Sequence, residues 1–260
     1  MLTHLANLYH YRDLLWLWTG REVRVRYKQS ALGIAWAVIQ PLVLTIVFTL
    51  VFSRLMQVDT GGVPYPVFAY SALLPWTFFA TSLAFAVPSL VNNLNLVGKI
   101  YFPREILPLA SIGAALLDFA MAGLVFAGMM LIYQIPLTLN VLWVIPLLFI
   151  QIILTVGVTL IGAAFIVFFR DVRFVIHLLT QVWMYASPVI YPSTLIPPQW
   201  QTLYFLNPMA GIIAGYRSAL VLGETPNLPA LLLATIVSVV LLLIGYGTFK
   251  RSEPLFADLI

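Results

Sequence analysis

The sequence predicts an all-α integral membrane protein with six transmembrane helices, and composition and charge placement are the observations behind this prediction. Of the 260 residues, 62% are hydrophobic and only 8% are charged, whereas a soluble domain of this size needs a polar exterior. Eleven of the 13 Lys and Arg residues fall in four short clusters. Between the clusters the chain has uncharged stretches long enough to cross a bilayer. We therefore expect a single transmembrane domain over residues 1–260.

An amphipathic interface helix is predicted for residues 11–28, ahead of the first span. The segment is too charged to cross a bilayer, and on a helix its cations and its apolar residues fall on separate stripes. Glu22 and Arg26 are spaced for an i,i+4 ion pair. We expect this helix either to anchor the chain at the headgroups or also to support a partner protein. The cationic stripe holds Arg21, Arg24 and Lys28, and the apolar stripe holds Leu14, Leu15, Trp18 and Val25.

The spans follow in order from the long uncharged runs, which are divided where Pro, Gly and polar residues accumulate. The first apolar run begins near Ala31, behind the charged segment, so no cleavable signal peptide is expected. A Gly- and Pro-rich turn at residues 61–66 precedes the second span, and the stretch 134–140 separates the third from the fourth. The predicted spans are residues 33–52, 69–94, 106–133, 141–169, 174–191 and 228–249.

Residues 192–222 are apolar but are interrupted by Pro and Asn too often for a straight span. Proline removes a backbone donor and breaks helices, and unpaired backbone groups cannot face lipid. We therefore predict two short helices here, either re-entrant or periplasmic, and the alternative is a seventh span. Trp200, Tyr204 and Phe205 suit an aromatic belt at the membrane interface.

The distribution of Lys and Arg predicts that both termini are cytoplasmic. Six spans place all eleven clustered cations on one side, and cytoplasmic loops carry the excess of Lys and Arg. Arg54 and Arg217 are the cations left on the opposite side. The same rule accounts for the net charge of +4, so no nucleic-acid partner is expected.

Two cytoplasmic loops contain candidate docking residues. In the first loop two aromatic residues and a proline lie between charges, and exposed aromatics beside a rigid proline are typical of a surface that binds another protein. The alternative is a loop whose cations only set the topology. The second loop joins two helices and is alternatively a charged turn with a local ion pair. The residues are Lys99, Tyr101, Phe102, Pro103, Arg104 and Glu105 in the first loop, and Arg170, Asp171 and Arg173 in the second.

The sequence lacks the chemistry of an enzyme. It contains no G-x-x-x-x-G-K-[ST] loop, so no ATPase activity is expected of this chain. His4, His10 and His177 are too scattered for a metal site, and none is expected. If the protein moves a substrate uphill, the energy must come from an ion gradient or from another subunit.

Asp118 is the one acidic residue predicted near the centre of a span. A carboxylate at such a depth is costly and is by default a functional candidate, as in a proton-coupled carrier. The other interpretation is structural, with the Asp118 side chain packed against a polar helix face. Thr155 and Thr159, one turn apart on the next span, are the predicted hydrogen-bond partners.

Five motifs in sequence order resemble those of type-2 ABC exporter permeases for polysaccharides. The resemblance extends over nearly the whole chain, and the order of the motifs makes it more specific than any one of them. The motifs are Tyr27–Trp36 with Gln40-Pro41, Lys99–Pro108, Phe168–Val172, Pro188–Pro192 and Asn207-Pro208.

The resemblance implies a half-transporter, in which two copies of this chain assemble with two ATPase subunits in the bacterial cytoplasmic (inner) membrane. ATP and Mg²⁺ would then be bound by the partner and not by this chain. The substrate would be a lipid-linked O-antigen, capsule or teichoic-acid polymer. Residues 101–105 would dock the ATPase, residues 191–222 would form the outer gate, and the first and fifth spans would line a channel between the two copies.

Aromatic side chains are the candidate lining of that channel, because they present flat apolar faces to sugar rings. The alternative is that they face lipid or pack inside the protein. Arg54 and Arg217, near the outer mouth, would contact an anionic group or cap a helix end. The channel candidates are Trp36, Phe48, Phe52, Trp183, Tyr185 and Tyr191, and the gate candidates are Trp200, Tyr204, Phe205 and Arg217.

Three other functions remain open at the level of the sequence. The first is an exporter of drugs or small lipids with the same architecture. The second is a proton-coupled carrier that uses Asp118, and the third is a purely structural membrane scaffold.

Overall fold

α-Helices account for most of the chain that the structure describes. The computed structural model describes residues 10–28, 30–93 and 102–256, and these residues contain no β-strand. The predicted all-α class is therefore confirmed. In chain order the main helices are α1 (Arg12–Tyr27), α2 (Trp36–Phe48), α3 (Tyr65–Ala86), α4 (Ile106–Ile132), α5 (Val144–Phe168), α6 (Val172–Tyr185), α7 (Pro198–Phe205), α8 (Pro208–Arg217) and α9 (Leu228–Ser252).

Five helical segments of the described chain are long and apolar enough to cross a membrane. α2 reaches that length together with a 3₁₀ turn before it and a π-helical turn after it. α7 and α8 qualify only as a pair, bent by 106°, and they are the two short helices predicted before the last span. The protein is thus a multi-pass membrane protein. The five segments are Gly33–Leu55, Tyr65–Ala86, Ile106–Ile132, Leu139–Phe168 and Leu228–Leu255.

One end of the helix bundle, which we call the basic end, gathers parts of the chain that are far apart in sequence. The Arg21 guanidinium donates to the Asn93 side chain at 3.0 Å, and the Arg173 guanidinium donates to the Asn92 side chain at 3.4 Å. Phe256 packs in one apolar cluster with residues at the start of α4, in α1 and near the end of α9. The two ends of the described chain therefore lie on the same side of the bundle.

The opposite end, which we call the distal end, is identified by a second set of contacts. The Tyr65 hydroxyl donates to the carbonyl of Ile190 at 2.9 Å, and the Asn140 amide donates to the carbonyl of Gly223 at 2.6 Å. The segments before α3, before α5, after α6 and before α9 therefore meet here. The described chain passes six times between the two ends, with α6 as the fifth pass.

The helix of the fifth pass is shorter than the helix predicted over residues 174–191. α6 begins at Val172 and ends at Tyr185, because Pro188 cannot donate a backbone hydrogen bond and clashes with the preceding turn. Its 14 residues extend about 21 Å, which is less than the roughly 30 Å of a hydrocarbon core. α6 is accordingly not among the five long segments, and the turns at 186–190 complete the pass.

The second span also differs from its predicted range of 69–94. α3 begins four residues earlier, at Tyr65, because Pro64 and Pro66 suit the first turn of a helix. It ends at Ala86, two residues before Pro88, and only the short helical turn Ser89–Asn92 follows it. The predicted end at residue 94 lies outside the described residues.

The interface helix α1 packs against the first half of α4. The side chain of Thr19 lies against Gly113, so close that a Cβ at Gly113 would be 3.1 Å from it. The predicted ion pair of Glu22 with Arg26 is wrong: Glu22 approaches Arg21 at 3.8 Å, and Arg26 is held by Asp118.

α3 is the central helix of the bundle and is buried along most of its length. A helix that is apolar all round buries all its faces, and α3 contacts α2, α4, α5, α6 and α8. The Tyr70 ring stacks on Phe126 of α4 with centroids 5.8 Å apart. Gln151 of α5, which is fully buried, donates to the carbonyl of Pro75 at 2.6 Å. α3 therefore fixes the relative positions of the helices around it.

α5 and α9 approach each other more closely than any side chain between them would allow. At Gly157 of α5, a Cβ would lie 2.6 Å from the backbone nitrogen of Leu242, and at Gly245 of α9 it would clash with the carbonyl of Gly157. Small residues that let helix backbones meet in this way are common in membrane proteins. α5 and α9 therefore form a closely packed helix pair.

Candidate functional site

A groove between α2, α3 and α6 combines polar and aromatic side chains. Its larger cavity, of about 590 Å³, lies between α3 and α6 and extends to Gln40 of α2. Its smaller cavity, of about 230 Å³, extends from the same residue to Asp118. Gln40, Thr81 and Phe85 line both cavities, so the two adjoin. We call them together the α2–α6 groove.

The polar lining of the larger cavity consists of amides, hydroxyls, an imidazole and one cation. On α6 the polar residues are spaced at i, i+3 and i+4, which places them on one face. Trp36 and Phe85 add aromatic faces near the smaller cavity. Such groups can hydrogen-bond to hydroxyls and contact apolar ring faces. The polar side chains around the larger cavity are Gln40, Thr81, Arg173, His177, Thr180 and Gln181.

An ion pair closes the inner side of the smaller cavity. The Arg26 guanidinium contacts the Asp118 carboxylate, and the two side chains are only 8% and 14% exposed. The Tyr27 hydroxyl donates to the second carboxylate oxygen at 2.5 Å. Burial raises the pKa of Tyr27, and its hydrogen bond to Asp118 raises it further, so the phenol keeps the proton that it donates. The guanidinium also lies 4.1 Å above the ring of Phe85.

The prediction that Thr155 and Thr159 satisfy Asp118 is wrong. The Thr155 hydroxyl donates to the carbonyl of Gln151 at 2.7 Å, and the Thr159 hydroxyl has no hydrogen-bond partner among the described residues. A full charge in a membrane requires an opposite charge more than it requires a hydroxyl. α1 supplies that charge through Arg26, which the sequence pattern had paired with Glu22.

The candidate docking residues divide into buried and exposed groups. Phe102 and Glu105 are buried, which contradicts the expectation of an exposed aromatic loop. Both belong to contacts with the C-terminal segment. Pro103 and Arg104 are half-buried, and Arg170, Asp171 and Arg173 are exposed. Lys99 and Tyr101 lie outside the described residues.

The six candidate channel residues do not line one common cavity in the part of the chain that the structure describes. Trp36 is half-exposed and lines the α2–α6 groove, and Tyr185 is exposed at the end of α6. Phe52 stacks on Tyr65 with ring centroids 6.5 Å apart, and Phe48 packs against the same cluster. Trp183 lines a neighbouring cavity, of about 520 Å³, which shares Leu83, Ile176 and Thr180 with the larger cavity of the groove.

The groove residues that sequence reasoning missed are polar rather than aromatic. His177, Thr180 and Gln181 recur on one face of an apolar helix, and Gln40 interrupts the first apolar run. Polar side chains within spans were the available signal, because they face the protein interior or a cavity rather than lipid.

The gate candidates lie at the distal end with different exposures. Trp200 is exposed, whereas Tyr204 and Phe205 are half-buried with their rings edge to face at 5.6 Å. The Tyr204 hydroxyl donates to that of Tyr191 at 3.3 Å. Tyr191, a predicted channel residue, therefore belongs to the contacts of the gate segment.

Arg217 is buried, and its guanidinium binds main-chain carbonyls. Its guanidinium donates to the carbonyls of Pro188 at 2.9 Å and Val189 at 3.3 Å, and approaches that of Tyr191 at 3.5 Å. It also lies 3.6 Å from the ring centroid of Phe68. The turn after α6 leaves these carbonyls without helical partners, and Arg217 supplies the donors.

Asn207 joins the same turn from the other side. Its side-chain oxygen accepts from the Trp183 indole at 2.7 Å and from the backbone of Met209 at 3.1 Å. Its amide donates to the carbonyl of Ala186 at 3.1 Å and to the Ser187 hydroxyl at 2.9 Å. Asn207 thus caps α8 and binds the end of α6 at once. We call these contacts, with those of Arg217, the α6–α8 junction.

The sequence is similar to those of several known transport proteins. A family model described as ABC-2 type transporter matches residues 13–221. An O-antigen export system permease protein RfbA of Klebsiella pneumoniae is 30% identical over 98% of this chain and 97% of its own length. The RfbA protein of Myxococcus xanthus is 30% identical over the full length of both chains. The polysialic acid transport protein KpsM of Escherichia coli is 25% identical over 90% of this chain and 91% of its own length.

Proposed function

The chain belongs to the ABC-2 type transporter family, and we propose that it is the membrane-spanning subunit of an ATP-driven exporter of lipid-linked polysaccharide. The observation that carries this proposal is the α2–α6 groove. Its amide, hydroxyl, imidazole and aromatic groups match the hydroxyls and apolar ring faces of a sugar polymer. The names of its relatives, which refer to O-antigen export and polysialic acid transport, support the same substrate class.

One copy of the chain encloses the groove only partly, and we propose that a second copy completes it. No residue of α6 is buried, and Leu178 and Val182 of α6 are 61% and 58% exposed. On α2, Ile46 is 59% exposed. Apposition of α2 and α6 from two copies would cover these apolar faces and enclose the polar lining between them.

Two ATPase subunits would bind at the basic end. Support comes from Arg170, Asp171 and Arg173, which are exposed between α5 and α6. Of the first predicted docking loop, Arg104 and Pro103 remain accessible. Arg173 also lines the groove, so a partner bound there would act directly on α6. ATP and Mg²⁺ would be bound by the partner.

We further propose the bacterial cytoplasmic membrane as the location, with both termini in the cytoplasm. The clusters around Arg104, Arg173 and Lys250 lie at the basic end, together with α1. Arg54 and Arg217 belong to the distal end. The rule that cytoplasmic loops carry the excess of Lys and Arg supports this orientation.

The contacts of Asp118 and the groove lining weigh against the two alternative transport functions. A proton-coupled carrier needs a carboxylate that can exchange its proton, whereas Asp118 is held by both Arg26 and Tyr27. An exporter of drugs or small lipids would use an apolar cavity. The polar side chains on one face of α6 favour a hydroxyl-rich substrate instead.

Deletion of the gene and complementation test the proposed function. Loss of the chain should remove the surface polysaccharide and cause the lipid-linked polymer to accumulate on the cytoplasmic side. Complementation should require a partner ATPase that hydrolyses ATP. Export that persists with a hydrolysis-deficient partner, at a constant proton gradient, would exclude an ATP-driven exporter.

A pair of substitutions on α6 tests the groove itself. Gln181→Leu removes hydrogen-bonding groups from the lining, and we expect export to fall about fivefold, as for one lost hydrogen bond. Leu179→Ala, at a position that lines neither cavity of the groove, is the control and should export normally. Equal export by the two variants, at equal amounts of protein in the membrane, would contradict this assignment.

A further inference from the structure

We propose that the segment Lys250–Phe256 positions residues 102–105 for the ATPase subunit. The residues of this segment that make the contacts are Lys250, Glu253 and Phe256, and we call these three residues the C-terminal clamp. It contacts the start of α4 through one ionic and one apolar group of residues. The inference rests on the proposed function in one respect, the existence of the ATPase partner. It adds the segment Lys250–Phe256 to the parts of the chain that transmit the action of the ATPase.

The ionic group contains a carboxylate that needs the clamp. Glu105 is 2% exposed, and the Lys250 ammonium lies 2.8 Å from its carboxylate. Lys250 also contacts Glu253 at 2.9 Å. The Arg104 guanidinium donates to the main-chain carbonyl of Glu253, so the clamp engages both neighbours in the loop. A buried charge is costly unless it is paired, and Lys250 is the pairing partner that Glu105 has here.

The apolar group fixes the other end of the clamp. Phe256 is fully buried, and its ring meets that of Phe249 edge to face at 5.4 Å. Phe102 and Ile106 belong to the same cluster. The Arg104 guanidinium lies 5.9 Å from the Phe256 ring centroid, which places it between the ionic and apolar groups. Residues 102–105 are therefore held from both sides by a segment about 150 residues later in the chain.

The clamp connects the loop to the most closely packed helix pair in the bundle. Lys250 lies on α9, and α9 is packed backbone to backbone on α5 through Gly245 and Gly157. A force applied to residues 102–105 is therefore passed to α9 and α5 instead of being absorbed by a loop. α5 leads directly to the exposed residues Arg170, Asp171 and Arg173, so both proposed docking sites are joined through the α5–α9 pair.

Charge exchange between two residues tests the clamp. Lys250→Glu, like Glu105→Lys, leaves a buried like-charge contact, and we expect export per ATP hydrolysed to fall about fivefold or more in the purified complex with its ATPase. The double variant, with both Lys250→Glu and Glu105→Lys, restores an opposite-charge contact and should recover the wild-type export per ATP hydrolysed. Arg251→Glu, an identical charge change at the exposed neighbouring position, is the matched control and should keep it.

The export per ATP hydrolysed distinguishes a clamp that positions residues 102–105 from one that only packs against them. A merely structural role would lower the amount of folded complex and leave the export per ATP of the surviving complex unchanged, and that result would overturn the proposal. If the charge variants do not accumulate, Phe256→Ala is compared with Leu255→Ala, whose side chain is 48% exposed. Equal ratios for these two would also overturn it.

Failure of the clamp and failure of the proposed function give different results. If the wild-type complex shows no ATP-dependent export, the proposed function is wrong. If the wild-type complex exports and Lys250→Glu does so with the same yield per ATP, only the role of the clamp is wrong.

Discussion

The contact between Arg26 and Asp118 sets the position of α1 at the scale of single residues. Both side chains are largely buried, so neither charge has solvent as an alternative partner. The pair also forms part of the wall of the α2–α6 groove. Asp118, an acidic residue in the middle of a span, therefore anchors α1, the helix that precedes the first span.

Asp118→Asn should destabilise the protein strongly. It leaves the Arg26 guanidinium buried without an opposite charge, and we expect the free energy of unfolding to fall by about 3 kcal/mol. The double variant Arg26→Gln with Asp118→Asn should lose less, because no unpaired charge remains. Thermal unfolding of the protein in detergent measures both. Glu22→Gln, at a looser pair with Arg21, should change stability little, and a single-variant loss no larger than that of the double variant would refute the explanation.

Arg217 plays a comparable part at the distal end. A lysine there cannot donate to several carbonyls in the fixed fork that a guanidinium provides. Arg217→Lys should therefore weaken the α6–α8 junction and cost about 2 kcal/mol in thermal unfolding. Arg54→Lys, at an exposed position, is the control. Equal melting temperatures for the two variants would show that the three carbonyl contacts contribute nothing to stability.

At the scale of the helices, the sequence predicted the spans, whose length the bilayer sets. It did not predict the contacts between residues that lie far apart in the chain. The long uncharged runs predicted a membrane-spanning bundle, because a spanning helix has a minimum length. The burial of Phe102 and Glu105 could not be predicted, since it depends on a segment about 150 residues away. Arg26 was likewise paired with a near neighbour, whereas its partner is 92 residues distant. Local spacing reveals faces of a helix but not which helix meets them.

The contact between α5 and α9 gives a prediction at this scale. Gly245→Ala places a Cβ against the backbone of Gly157 and should force the helices apart, at a cost of about 3 kcal/mol. Gly247→Ala, two residues along α9 and facing open space, should be neutral or stabilising, since alanine favours a helix over glycine. Thermal unfolding and the yield of protein in the membrane report the difference. Similar behaviour of the two variants would contradict the close packing.

At the scale of the whole molecule, the two ends of the bundle are connected by α6. Its basic end carries the exposed Arg173, its side lines the groove, and its distal end is bound by Asn207 and Arg217. A displacement imposed by a partner at the basic end would thus reach both the groove and helices α7 and α8, which are predicted to form the gate. The exposed apolar residues of α6 leave it free of tight packing within one copy, which suits a helix that moves.

Disulfide cross-linking tests the proposed apposition of two copies along α6. The chain contains no Cys, so single substitutions report on one position each. Val175→Cys, Leu178→Cys and Val182→Cys, made one at a time, should include at least one variant that forms a covalent dimer in oxidised membranes, because a disulfide requires Cα atoms within about 7 Å. Leu232→Cys on α9 is the control, since Leu232 and Leu178 are each 61% exposed. Cross-linking at Leu232 alone would place the interface between the two copies at α9 and leave the α2–α6 groove open to lipid.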